Sequence, residues 1–277
     1  MTAPARSGRS PVARADAPAQ RSTLRSVALP TEHGGWGLTL EPGLLGLLIE
    51  PHVAGVLLAV AAVVAFLART PLKVVLVDRW RGRTLDRTRV ALRLAAAELL
   101  ALAALIAGAA LLADGSFWVP LVVAAPLVLL ELWFDMRSRS RRLVPELAGA
   151  VGVCAVAASI VLAGGGDSRL AAAVWLVPAA RVATSIPFVR AQIARLHGRA
   201  TAPARLLVAD AIGVAIAAVA VALEPAVLGG SLAVLAAVVY QRTSASGPVP
   251  RPTVLGVRQM LLGVGVVLAT ALSVLIA

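Results

Sequence analysis

Long apolar blocks, separated by short polar turns and clusters of arginine, constrain this chain more than any other feature of its sequence. Each block is about 15–24 residues long, the length that a helix needs to cross a hydrocarbon core about 30 Å thick. Composition agrees, since 59% of the 277 residues are hydrophobic, 14% are charged and the mean hydropathy is +0.88. These values exclude an ordinary soluble enzyme, a disordered chain and a disulfide-stapled domain. The sequence predicts an all-α membrane protein.

Nine transmembrane helices are predicted from the apolar blocks. Turns such as Glu50-Pro51, Asp114-Gly115 and Glu224-Pro225 separate several of them, because these residues break helices. Residues 1–30 are basic and rich in Ala, Pro and Ser, so we expect a disordered tail followed by a transmembrane domain over 31–277. The predicted spans are 34–50, 53–77, 90–113, 117–134, 143–163, 169–189, 206–223, 225–240 and 254–276.

The basic residues set the expected orientation. All of them except Arg169 and Arg181 fall on one side when the spans are numbered from a cytoplasmic N-terminus. Because cytoplasmic loops are enriched in Lys and Arg, the sequence predicts an N-terminus inside and a C-terminus outside. Topology thereby accounts for the net charge of +12, and no nucleic-acid partner is expected. The single cysteine, Cys154, excludes an intramolecular disulfide.

Charged residues inside the spans define a candidate cavity. Such residues are costly in a bilayer and need partners or water. Glu41, Glu98 and Arg181 all lie in the cytoplasmic halves of their spans. We expect a polar cavity open to the cytoplasm, or a buried pair of Arg181 with Glu98 or Glu41. For three shallower acids, helix capping at the headgroup boundary is the favoured interpretation: Glu131, Glu146 and Asp210.

Glu32 and His33 stand at the predicted inner boundary of the first span. A Glu-His pair there could take part in proton chemistry, because His titrates nearest to neutral pH. Trp36 and its flanking glycines equally fit an interfacial belt that only anchors the helix. If the pair takes part in proton chemistry, Glu32 and His33 belong to the candidate cavity together with Glu41, Glu98 and Arg181.

Arginine-rich inner loops supply the candidate anion site. Residues 78–89 combine two aspartates with five arginines, and guanidinium forks suit phosphate or carboxylate. A loop that only contacts anionic lipid headgroups explains the same arginines. The candidate anion-binding residues are Arg69, Asp78, Arg81, Asp86 and Arg190. The sequence contains no HExxH motif, no CxxC motif and no spaced His cluster that would predict a metal site.

Two segments resemble a known family. Residues 30–36, Pro-Thr-Glu-His-Gly-Gly-Trp, are similar to the Pro-Lys-Glu-His-Gly-Ala-Trp opening of the bacterial YwiC-like membrane proteins. Residues 181–191 resemble their Arg-x-x-x-Ser-x-x-x-Val-Arg segment. The likeness extends over residues 29–240 and implies a multi-pass protein of the bacterial cytoplasmic membrane. It implies no settled activity.

The layout is also similar to that of the UbiA-type intramembrane prenyltransferases, which have nine helices and a cytoplasmic N-terminus. That resemblance implies magnesium and a prenyl diphosphate bound at acidic motifs after the second and sixth helices. Here Asp78 and Asp86 stand eight residues apart with arginines between them, and residues 190–205 contain no acid. The chain therefore departs from the two-cluster magnesium pattern.

Two classes of function follow. The first is a UbiA-like transferase or a derivative, which holds an isoprenoid diphosphate or another anionic amphiphile in a cytoplasm-facing cavity. The second is non-enzymatic: a small-anion carrier with Arg181 as the counter-charge, or an assembly protein with a protein partner of unknown kind. The outer halves of the spans carry no charge, which favours a cavity closed to the outside over alternating access.

Overall fold

The computed structural model describes residues 35–137, 142–245 and 247–277. Within these ranges the chain forms nine α-helices and one short 3-10 helix, so the prediction of an all-α protein is confirmed. The elements are α1 (Gly35–Ile49), α2 (Val53–Trp80), α3 (Asp86–Leu112), α4 (Trp118–Met136), α5 (Leu143–Ala163), α6 (Ser168–Leu196), α7 (Pro203–Leu223), the 3-10 helix Pro225–Val227, α8 (Leu228–Ala245) and α9 (Pro252–Leu275).

Eight of the described helices, α2 to α9, are long and apolar enough to cross a membrane when α8 is counted with the 3-10 helix before it. Helix α1 has 15 described residues. At 1.5 Å per residue these extend about 22 Å, which is less than the thickness of a hydrocarbon core. Each predicted span coincides with one of these helices, so the multi-pass architecture is confirmed.

The helices continue further at the arginine-rich loops than the hydropathy predicted. Helix α2 extends to Trp80 and α3 begins at Asp86, so most of residues 78–89 is helical. Likewise α6 extends to Leu196 and leaves 197–202 as the loop. Hydropathy identifies where the apolar part of a helix ends. The helix itself can continue into the polar interface, because its backbone hydrogen bonds do not depend on apolar side chains. The predicted loops are therefore longer than the observed ones.

Consecutive helices are joined by short loops, and every consecutive pair except α3 and α4 packs together. Because the chain reverses direction at each loop, the helix ends gather at two ends of the bundle. We call one the arginine-rich end; there α2, α4, α6 and α8 end, and α3, α5, α7 and α9 begin. We call the other the opposite end; its connections are 50–52, 113–117, 164–167 and Glu224.

Polar side chains cap the helices at the opposite end. The His52 Nδ1 atom accepts a hydrogen bond of 2.9 Å from the Gly55 backbone, so Nε2 carries the proton and donates to the Ile160 carbonyl at 2.9 Å. This ring thereby joins the start of α2 to α5. At the start of α6 the Asp167 carboxylate accepts two backbone N–H groups, which hold the pKa of Asp167 below its usual range.

Helices α5 and α6 are the most buried spans, and α1 packs against both of them as well as α2 and α9. Small residues make this close packing feasible: Ala155, Ala157, Ala173 and Ala180 are fully buried. A Cβ atom at Gly46 of α1 would lie 2.7 Å from the Ile160 side chain of α5. Helices in a bilayer associate through such close contacts between small residues. The centre that carries the candidate site is therefore tightly packed.

Candidate functional site

A buried ion pair joins α1 to α6. Arg181 Nη1 lies 2.9 Å from Glu41 Oε2, and the two side chains are 4% and 7% exposed. Arg181 Nη2 also donates a hydrogen bond of 2.6 Å to the carbonyl oxygen of Gln259 in α9. Of the two partners expected for Arg181, the structure therefore brings Glu41 to it.

Glycine on α9 makes room for this pair. A Cβ atom at Gly263 would overlap the Glu41 carboxylate and would lie 2.5 Å from Arg181 Nη2. The two charged groups consequently pack directly on the backbone of α9. Leaving one of two buried charges without its partner is strongly destabilising, so α1, α6 and α9 are tied together by Glu41 and Arg181.

Several buried polar atoms near this pair have no hydrogen-bond partner among the described residues. They are Glu41 Oε1, Arg181 Nε, Ser185 Oγ, Gln241 Oε1 and Gln259 Nε2. Buried polar atoms usually have partners, so several in one region of the fold are characteristic of a site that binds something polar. Gln241 in α8 and Gln259 in α9 approach each other, with 3.4 Å between Gln241 Nε2 and Gln259 Oε1.

The α6 residues of this region share one helix face. Arg181, Ser185 and Gln192 are spaced four and seven residues apart, which places them on the same side of a helix. All three are buried. We call the set Glu41, Arg181, Ser185, Gln192, Gln241 and Gln259 the polar column; its α6 members extend from the middle of the bundle toward the arginine-rich end.

A small cleft lies at that end of the polar column, between α6, α8 and α9. Gln192 and Gln259 of the column contribute to its walls, and the exposed Arg258 contributes a guanidinium group. The remaining lining residues mix apolar and hydroxyl side chains: Phe188, Tyr240, Ser244, Pro250 and Leu255. No carboxylate lines the cleft, so its charge among the described residues is positive.

The other members of the predicted cavity lie elsewhere. Glu98 is half-buried on α3, and its Oε2 atom has no hydrogen-bond partner among the described residues. Helix α3 packs mainly against α2, on a different part of the bundle from α6. Glu32 and His33 lie outside the described residues.

The predicted anion-binding residues form separate contacts and do not converge. Arg69 lies 2.8 Å from Glu131 and 3.0 Å from Asp135 of α4. Arg190 lies 2.6 Å from Glu146 of α5. Arg81 is exposed at the end of α2. Arg69 and Arg190 are thus held by acids of different helices, α4 and α5.

Asp78 and Asp86 occupy contrasting environments. Asp78 is fully buried; its carboxylate lies 3.1 Å from Arg87 Nη2 and accepts a hydrogen bond of 2.6 Å from the Thr88 hydroxyl. Asp86 is 99% exposed and lies 3.6 Å from Arg89. Asp78 therefore fixes the corner between α2 and α3, while Asp86 is solvated.

This donor set does not fit a shared magnesium site. The Asp78 oxygens are already engaged by Arg87 and Thr88, and Asp86 points to a different environment. Among the described residues no three His, Cys, Asp or Glu side chains gather as potential metal ligands. Magnesium sites in proteins are built from carboxylates and other oxygen ligands that converge.

The shallow acids all pair with arginines of neighbouring helices. Glu131 pairs with Arg69 and Glu146 with Arg190, while Asp210 of α7 pairs with Arg242 of α8. These acids therefore lie near the headgroup boundary, as expected from their positions in the spans. Their side chains link neighbouring helices, however, and do not cap helix ends.

Sequence reasoning missed the amides and Arg258. Gln192 follows the sixth predicted span, Gln241 follows the eighth and Arg258 lies near the start of the ninth, but none of them was among the candidate site residues. A search for amides near the ends of spans would have found these residues. Their convergence depends on how α6, α8 and α9 pack, which their positions along the chain do not reveal.

Comparison with known proteins identifies one family. No curated protein and no solved structure matches this chain. The family model of YwiC-like protein matches residues 29–161, which include the Glu-His-Gly opening, Glu41 and helices α1 to α4. Arg181 and the segment 181–191 lie beyond the matched residues. The resemblance that the opening motif indicated is confirmed over residues 29–161, which are similar to the YwiC-like protein family.

Proposed function

We propose that this chain is a membrane protein that binds an anionic amphiphile, such as an isoprenoid diphosphate, in the cleft between α6, α8 and α9. The observation that carries the proposal is the cleft itself, which joins a free guanidinium to the polar column and to an apolar wall. An amphiphile with a phosphate head and a hydrocarbon tail matches both kinds of lining.

Charge supports an anionic headgroup. Arg258 forms no ion pair with any described residue and faces no carboxylate within the cleft. Its planar guanidinium can donate two parallel hydrogen bonds to phosphate oxygens. The Gln192 and Gln259 amides add neutral donors beside it. Arg181 lies beyond Gln259 and is neutralised by Glu41, so the unpaired charge at the cleft is that of Arg258.

The apolar lining supports a lipid tail. Phe188, Tyr240 and Leu255 are apolar or aromatic residues that line the cleft. The neighbouring α9 residues Val257 and Leu261 are exposed on the outside of the bundle. A hydrocarbon chain could leave the cleft along this surface without entering water. A small inorganic anion would leave these apolar groups unused.

Binding in this form does not require the two acidic clusters of the UbiA-type transferases. Arg258 and the amides would neutralise a diphosphate directly, as electrostatic stabilisation by fixed donors permits. With the inner orientation predicted by the arginines, the cleft would open to the cytoplasm at the bacterial cytoplasmic membrane. The proposed ligand is thus of the same chemical class as that of the UbiA-type enzymes, but its binding would not need their two acidic magnesium motifs.

The test measures farnesyl diphosphate binding to the full chain in nanodiscs by native mass spectrometry. Farnesol and inorganic pyrophosphate serve as the uncharged and tail-free probes. We expect farnesyl diphosphate to bind most tightly, and Arg258→Gln to weaken it about tenfold, the effect of about 1.4 kcal/mol. Arg251→Gln, at an exposed arginine that starts the same helix, is the matched control and should bind as the wild type does.

Other outcomes distinguish the alternatives. Equal binding of pyrophosphate and farnesyl diphosphate would favour the small-anion carrier, which flux into liposomes would then test. Loss of magnesium-dependent binding in both Asp78→Asn and Asp86→Asn would instead support a transferase-type metal site. If no probe binds, or if Arg251→Gln weakens binding as much as Arg258→Gln does, the proposed cleft is wrong.

A further inference from the structure

A second cluster at the arginine-rich end has the composition of a lipid headgroup site. The guanidinium carbon of Arg137, which follows α4 directly, lies 4.1 Å from the ring centroid of Trp133 and 5.6 Å from that of Trp80 in α2. The two indoles are 59% and 47% exposed, Trp80 being the more open. This cluster, which we call the Trp–Arg–Trp cluster, lies on α2 and α4, away from the cleft of α6, α8 and α9.

The two indoles attract the Arg137 guanidinium and leave its N–H donors available. A cation within about 6 Å of an indole centroid is attracted by the ring face. The guanidinium is planar, and its five N–H donors project from its edges, so cation–π attraction to the indole rings does not use them. No hydrogen bond or ion pair engages these donors among the described residues. Arg137 is thus ordered by aromatic contacts but free to bind an anion.

The nearby acids cannot compete for Arg137. Asp135 is buried and is engaged by Arg69 and Lys73, and Glu131 lies 2.8 Å from Arg69. These two acids and two bases neutralise one another between α2 and α4. The positive charge of Arg137 therefore remains unbalanced at the surface.

The direction of α2 and α4 means that only side chains can bind an anion at this cluster. Both α2 and α4 end at this surface, so they present C-terminal carbonyl groups rather than the N–H groups that attract anions. An anion held here must depend on Arg137 and its indole supports. Tryptophan favours the headgroup level of a bilayer, which brings lipid phosphates to the same depth.

We propose that the Trp–Arg–Trp cluster is a binding site for the phosphate headgroup of an anionic phospholipid of the surrounding bilayer. The phosphate oxygens accept hydrogen bonds from the edge of the Arg137 guanidinium, and the glycerol and upper acyl segments contact the exposed indoles. This site is independent of the amphiphile cleft, since it shares no residue with it.

The test titrates delipidated, full-length protein with phosphatidylglycerol and with phosphatidylcholine and counts bound lipids by native mass spectrometry. We expect one phosphatidylglycerol to remain bound at energies that remove phosphatidylcholine. Arg137→Gln should weaken this adduct about tenfold, and Arg137→Lys should restore only part of it, because an ammonium lacks the planar fork. Trp133→Leu should also weaken it while leaving the charge unchanged.

Arg142→Gln is the matched control, because Arg142 is an exposed arginine at the same end that makes no capping contact through its side chain. It should retain the adduct fully. Equal losses in Arg142→Gln and Arg137→Gln, or no preference for phosphatidylglycerol, would overturn the proposal. So would displacement of the lipid by millimolar inorganic phosphate. Each variant is compared at matched monodispersity, and unchanged farnesyl diphosphate binding separates this site from the cleft.

Discussion

At the scale of single residues, Glu41 and Arg181 are each costly inside an apolar bundle but tolerable together. Their side chains are almost completely buried, and they meet through a single close contact of 2.9 Å. Removing one partner from such a pair typically costs about 3–5 kcal/mol, because the other charge is left buried without compensation. We expect Arg181→Leu to lower the apparent melting temperature in detergent and the yield of monodisperse protein.

The paired substitution provides the control for this prediction. Glu41→Leu combined with Arg181→Leu removes both charges, and apolar replacement of a whole buried pair is often neutral. The double variant should therefore recover most of the stability lost by Arg181→Leu. A double variant as unstable as the single one would mean that Arg181 acts through the Gln259 carbonyl rather than through Glu41.

At the scale of helices, α9 meets the pair at Gly263 and its other glycines face open space. A methyl group at Gly263 would overlap the Glu41 carboxylate, so Gly263→Ala must displace the carboxylate or α9 itself. Overpacking of this kind typically costs about 1–3 kcal/mol. We expect a lower apparent melting temperature by thermal-shift measurement, together with weaker farnesyl diphosphate binding as α9 moves.

Gly265 gives a matched control on the same helix. It is exposed, and a Cβ atom there would meet no other atom within 4 Å. Gly265→Ala should leave the melting temperature unchanged or raise it slightly, since alanine favours the helix over glycine. If both variants behave alike, the close contact between α9 and the ion pair does not contribute to stability.

Helix pairing also decides what the ionisable residues do. Arg69 and Asp135 are far apart in sequence, yet α2 and α4 place them 3.0 Å apart. In the same way the α2–α3 corner gives Asp78 two hydrogen-bond donors and leaves Asp86 solvated. Two aspartates that look equivalent in a loop therefore have different roles once the loop is mostly helical.

At the scale of the whole molecule, hydropathy predicted each element because a bilayer accepts few backbone structures. An apolar block long enough to cross must be helical, since its backbone groups have no other partners in lipid. The depth of Glu41 and Arg181 was equally visible from their positions within spans. Their pairing was one of two options, because choosing between Glu41 and Glu98 requires knowing that α1 and not α3 packs against α6. The cleft of Gln192, Arg258 and Gln259 depends on three helices and so was not predicted.

Orientation is a property of the whole chain, and the arginine distribution predicts it unambiguously. The arginine-rich end should face the cytoplasm, because translocating its many arginines would violate the positive-inside tendency at each short loop. Cysteine labelling in intact bacterial cells tests this. Cys154 is buried and is first replaced by alanine, which gives a background that a membrane-impermeant maleimide should not label.

Two exposed loop residues then report on the two ends. Ser116 lies at the opposite end and Thr84 at the arginine-rich end. We expect Ser116→Cys to react in intact cells, and Thr84→Cys to react only after the membrane is permeabilised. If only Thr84→Cys reacted in intact cells, the orientation would be the reverse of the predicted one. The proposed cleft would then face away from the cytoplasm. A cytoplasmic isoprenoid diphosphate could then not reach Arg258, so this measurement constrains the ligand as well as the fold.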